Sequence, residues 1–129
     1  MAVCYAASIG LQDDSIEFSG PQGARWRAPL SIVRALGQFR SLTEDQGHFL
    51  AVIVDDSGAW LQAPCNAFGM DQLLAEISRR WRTSLILDAP QILAVQGRVL
   101  WPEQIRNAPL FEEGMDGGKL VLNEALRGL

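Results

Sequence analysis

The stretch 48–81, HFLAVIVDDSGAWLQAPCNAFGMDQLLAEISRRW, decides how the rest of the chain is read. Phe49 to Val54 is an unbroken apolar run rich in β-branched residues, which suits a strand covered on both faces. Asp55-Asp56-Ser57-Gly58 follows: three side chains that bond their own backbone, then a glycine free to turn. The expected consequence is a hairpin whose second strand is Ala59–Ala63, with Trp60 and Gln62 on one face and Leu61 on the other. Pro64 closes that strand because it cannot donate to a ladder. Met70–Trp81 then carries Leu73, Leu74, Ile77 and Trp81 on one helical stripe, with Asp71, Gln72, Glu76, Arg79 and Arg80 around the rest. Asp71 in the first turn and the arginines in the last suit the helix dipole. Glu76 and Arg80 form an i,i+4 pair of the better polarity.

Upstream, Ala2–Leu11 reads as a first strand turned at Gln12-Asp13-Asp14. Ser15–Ser19 alternates with period two, putting Ile16 and Phe18 inward and Glu17 outward. Gly20–Gly23 is a turn by composition, and Ala24–Arg27 alternates again with Trp26 inward, completing an antiparallel meander. Pro29 at a first helical position, with Leu30, Ile32, Val33 and Leu36 as a stripe, predicts a helix of two to three turns ending at Gly37, then a polar loop over 38–47. Downstream, Ser84–Leu87 and Ile92–Trp101 read as strands, the second folded about Gln96-Gly97, and Pro102 starts a short helix. The segment 112–118 reads as a mobile acidic loop and Lys119–Glu124 as a closing strand. Arg25, Pro29, Ile32 and Ala35 recur as Arg98, Pro102, Ile105 and Ala108 at one constant offset, which marks two similar local units.

The fold class expected is therefore α+β: an antiparallel meander with one main amphipathic helix at about 70–81, one or two short helices, and a single domain over 1–129. With 129 residues the chain can bury roughly two-thirds of its unfolded surface. Apolar content of 48% and charged content of 20% are ordinary globular composition. A formal charge of −4 argues against binding nucleic acid through phosphates and against adsorption to anionic lipid. No apolar stretch approaches the roughly eighteen residues of a spanning helix. The N-terminus lacks the pattern of a signal peptide, so a cytoplasmic location with reduced Cys4 and Cys65 is expected.

A meander, an apolar strand, a turn containing Gly58, a strand ending at Pro64, Phe68 and an amphipathic helix together resemble small bacterial pleckstrin-homology-like domains. Ser15–Phe18, Trp26 with Ile32, Val52–Val54 and Leu73–Trp81 carry the resemblance, which covers residues 1–81. It implies a module that binds proteins or lipids and performs no chemistry.

Candidate chemistries are few. Cys65 and His48 bracket the central hairpin, and a paired imidazole could lower a thiol pKa to make a nucleophile; the simpler expectation is an inert thiol. One histidine and two distant cysteines give no zinc spacing, and Glu112, Glu113 and Asp116 lack the pattern of a calcium loop, so neither metal nor cofactor is expected. Arg79, Arg80 and Arg82 could hold a phosphate or carboxylate, or simply complement the helix terminus. The favoured reading is a non-catalytic protein-binding module, an adaptor or a toxin-neutralising immunity protein, meeting a basic partner. Its expected site is Trp60 with Gln62, rimmed by Asp55 and Asp56. The alternatives are a small cysteine-dependent enzyme using Cys65 and His48, or a small-ligand carrier.

Overall fold

The computed structural model describes residues 7–40, 48–54, 60–87, 97–111 and 126. Over them the chain is α+β, with two antiparallel sheets and one α-helix. The first sheet is the expected meander: β1 (Ser8–Gln12), β2 (Ser15–Ser19) and β3 (Arg25–Pro29), in that order. Asp13 and Asp14 both take positive φ (50° and 63°), which is why two residues suffice to turn β1 into β2 with Gln12 opposite Ser15. Ile16 and Phe18 are buried and Trp26, half-buried, stacks on Phe18 at 5.6 Å.

The second sheet has the order β6-β5-β4-β7, from β4 (Ala35–Arg40), β5 (His48–Ile53), β6 (Leu61–Pro64) and β7 (Arg98–Trp101). Its two central strands are covered on both faces. Leu36, Leu50 and Val52 pack with Ile16, Leu73 and Ile77. Ala35, Phe39, Ala51 and Ile53 point the other way, against Leu110, Phe111 and Leu126. This sheet is thus a middle layer between two apolar clusters. The helix α1 spans Met70–Trp81 as the periodicity requires, with Met70, Leu73, Leu74 and Ile77 buried. Gly69 caps it at φ 92°, where a Cβ would lie 2.3 Å from the Ile9 carbonyl oxygen, so glycine is required there twice over.

Several expectations are corrected. No helix runs from Pro29 to Gly37: Leu30–Ile32 is a single 3-10 turn that leaves Ile32 47% exposed, and β4 follows, taking in residues 38–40 of the expected loop. The Leu30/Val33/Leu36 stripe misled because a strand buried on both faces loses its period of two. Gly37 is no helix stop. It sits inside β4, where a Cβ would come within 2.5 Å of Leu110 Cδ1 and 3.1 Å of the Arg98 carbonyl oxygen. Ser84–Leu87 keeps its alternation but pairs with no strand among the described residues, and side chains meet its backbone. Leu85 N–H donates to Ser78 Oγ (3.0 Å), and Arg98 Nη2 donates to the Ile86 carbonyl. Pro102 leads into a 3-10 turn at Glu103–Ile105 instead of a helix. The constant-offset echo is real as local structure: β3 and β7 each run through a proline into one 3-10 turn. The turn at 55–58, the expected hairpin arm at 92–96, the acidic loop and the strand at 119–124 lie outside the described residues.

Candidate functional site

Trp60 is in place, but its surroundings are not those of an open anchor. It is half-buried, 5.0 Å from Phe111 and 6.3 Å from Phe39 by ring centroids, and Phe39 stacks on Phe49 at 5.5 Å. Its Nε1–H donates to Gln62 Oε1 (3.1 Å), so Trp60 and Gln62 share a face as the alternation requires. The Gln62 carbonyl also accepts from Trp26 Nε1 (2.9 Å), a bond that ties β6 to the first sheet. The rim residues Asp55 and Asp56 lie outside the described residues.

Cys65 and His48 are brought together through the backbone: Cys65 N–H donates to the His48 carbonyl at 2.7 Å. No hydrogen bond joins thiol and imidazole. Burial pushes the Cys65 thiol from 9.0 up to about 12, which leaves it protonated at neutral pH, the reverse of an activated nucleophile. Among the described residues no three His, Cys, Asp or Glu side chains gather as a metal set, and no helix is long and apolar enough to cross a membrane.

The feature that sequence reasoning passed over is Phe68. Its side chain is 83% exposed, the most open large apolar group among the described residues. Its backbone is pinned: Phe68 N–H donates to the Ala7 carbonyl (3.0 Å), and Ile9 N–H donates to the Phe68 carbonyl (2.9 Å), a one-residue parallel bridge to β1. The signal available in the sequence was an aromatic residue between Pro64 and Gly69 with no periodic partner.

Beside Phe68 runs an open trough of about 660 Å³ between β1 and α1. Ile9, Leu11, Leu73 and Ala75 give it apolar walls; Arg79 and Arg80 stand at its far end. There both guanidinium groups donate to one oxygen, Glu76 Oε2, and Arg80 also bridges to Asp14 in the β1–β2 turn. These bonds, that from Arg80 first, hold the Glu76 carboxyl below its usual range. Arg79 keeps 71% of its side chain in solvent.

Set against protein-family models, curated proteins and solved structures, the chain has no match in any of the three.

Proposed function

We propose that the chain is a non-catalytic, cytoplasmic protein-binding module of the adaptor or toxin-neutralising kind, and that Phe68 is its principal anchor. The observation that carries this is an aromatic ring 83% exposed on a backbone held by two hydrogen bonds. A free phenyl ring in water gains nothing for the fold, while burying one against a partner is worth roughly 1.5–3 kcal/mol. A pinned backbone removes part of the ordering cost that binding otherwise incurs. Trp60 is the weaker candidate, because its ring and its N–H already have partners within the chain. The acidic net charge supports faster capture of a basic partner. The pleckstrin-homology-like resemblance points the same way.

The test is affinity capture from the native host on the immobilised full chain, with Phe68→Ser, Trp60→Phe and Cys65→Ser as comparisons. Loss of a saturably bound protein with Phe68→Ser alone, at unchanged Tm, is the expected result. Retention unaffected by Phe68→Ser contradicts the assignment. The enzyme alternative is addressed by iodoacetamide: Cys65 should label far more slowly than a free thiol at neutral pH, with no change in His48→Ala.

A further inference from the structure

Resting on the binding-module reading, we propose that the trough between β1 and α1 takes the extended carboxy-terminal segment of a partner protein. That segment would add as a short strand to the β1 edge, with its terminal carboxylate at Arg79.

The edge itself is the first argument. In the β1–β2 hairpin the closing pair Gln12/Ser15 exchanges backbone bonds, and such pairs alternate along the ladder. Gly10 is then bonded to Glu17, while Ile9 and Leu11 turn their N–H groups away from β2. The Ile9 N–H donation to Phe68 confirms that phase. Leu11 therefore presents its N–H and carbonyl outward, and neither has a partner among the described residues. The chain already uses this edge once, for Phe68. Nothing lies within 4 Å of the Cβ position of Gly10, so the sheet face opposite Ile9 and Leu11 is open at that point.

The trough supplies the rest of the recognition. Gly69 meets Ile9 at one end and Arg80 bridges Asp14 at the other, so α1 runs parallel to β1 and the Arg80–Asp14 bridge crosses the far end of the trough. Beyond the Phe68 bridge the free edge runs from Gly10 to Gln12, about 10 Å, enough for a tail of two or three residues. A blocked end favours a chain terminus. Alternate side chains of an added strand would enter the apolar wall at Leu11, Leu73 and Ala75. Glu76 and Asp14 balance the two arginines at that end, so a carboxylate would be held by the spare donors of Arg79, whose side chain is 71% exposed. Arg79 and Arg80 spend bonds on a single Glu76 oxygen, and a guanidinium has five N–H donors in a fork suited to carboxylates.

A bead library of hexapeptides displayed with free carboxy termini, screened with the fluorescent full chain, tests this directly. Retained sequences are remade with free and amidated ends and titrated into the isotopically labelled protein. Apolar residues should dominate the last and third-last positions, and the Leu11 and Gly10 amide resonances should move. Amidation and Arg79→Gln should each weaken Kd by at least about tenfold. Ala75→Trp, at an exposed helix position, should block binding; Arg79→Gln serves independently if that variant fails to fold. No retained bead, equal affinity after amidation, or resonance shifts that spare Leu11 and Gly10 would each overturn the inference. If peptides are refused while host capture still depends on Phe68, the binding-module reading stands and this site falls; if capture ignores Phe68, the broader reading falls first.

Discussion

The two sheets of this protein solve the same problem in opposite ways. In the second sheet both faces are covered and both edges are engaged: Val99 N–H donates to the Ala108 carbonyl, Asn107 N–H donates back to Val99, and Trp26 Nε1–H reaches the Gln62 carbonyl on β6. The first sheet keeps one face in solvent, with Glu17, Arg25 and Arg27 on it, and leaves backbone groups of β1 open beside α1. The second sheet thus has its edge strands tied into the rest of the chain. An edge left open is a hazard for pairing with other chains unless it is used, and it lies next to the one strongly exposed phenyl ring.

This contrast can be broken by substitution. Leu50→Ala and Ile53→Ala point to opposite faces of β5, and both side chains are fully buried. Each should cost about 3–5 kcal/mol by chemical denaturation. Because the two clusters are separate, the double variant should be additive to within about half a kcal/mol. A cost below about 1 kcal/mol for either would show that its face is not a core. Leu74→Ala or Ile77→Ala, on the seam between α1 and the sheets, should cost about 2–4 kcal/mol. On the open face of the first sheet, Glu17→Ala removes only an exposed ion pair with Arg27 at 3.4 Å and should change stability by less than about 0.5 kcal/mol.

The same contrast explains what the sequence could tell. β2 has one wet face, so Ser15–Ser19 alternates and was legible at once. β5 has none, yet Val52 and Ile53 are β-branched and the run is bounded by a turn signal, so composition compensated for the missing period. β4 has neither aid. Leu36-Gly37-Gln38 lacks β-branched residues, Pro29 imitates a helix start and Gly37 a helix stop, and tertiary contacts with Leu110 and Arg98 override both signals. The helix at 70–81 was legible to the residue because one stripe alone is buried. For the candidate site, alternation put Trp60 and Gln62 on one face, but their shielding depends on Phe39 and Phe111, distant in sequence. Phe68 could not be assigned, since exposure of one ring between turns has no periodic signature.

The smallest effect concerns the closed end of the trough. The Glu76 carboxyl is held below its usual value by Arg80 and Arg79 in the folded chain. Its contribution is therefore present above the unfolded pKa of about 4.3 and is lost as pH falls through the lower folded value. Glu76→Gln should be slightly less stable than the parent at pH 7 and indistinguishable from it in strong acid. A difference that persists or grows on acidification would remove the arginine pairing as its cause.

Amide hydrogen exchange under native conditions bears most directly on the opposition between the closed and the open sheet. The amides of Leu50, Ala51 and Val52, in a strand paired on both sides, should exchange only through global unfolding, with protection on the order of 10³-fold or more. Gly10 should be protected to an intermediate degree by its bond across the hairpin. The outward amide of Leu11, one residue away, should exchange within about tenfold of the unstructured rate. Protection of Leu11 equal to that of Gly10 or of β5 would mean that the β1 edge is already occupied, and the open edge on which the tail site rests would not exist.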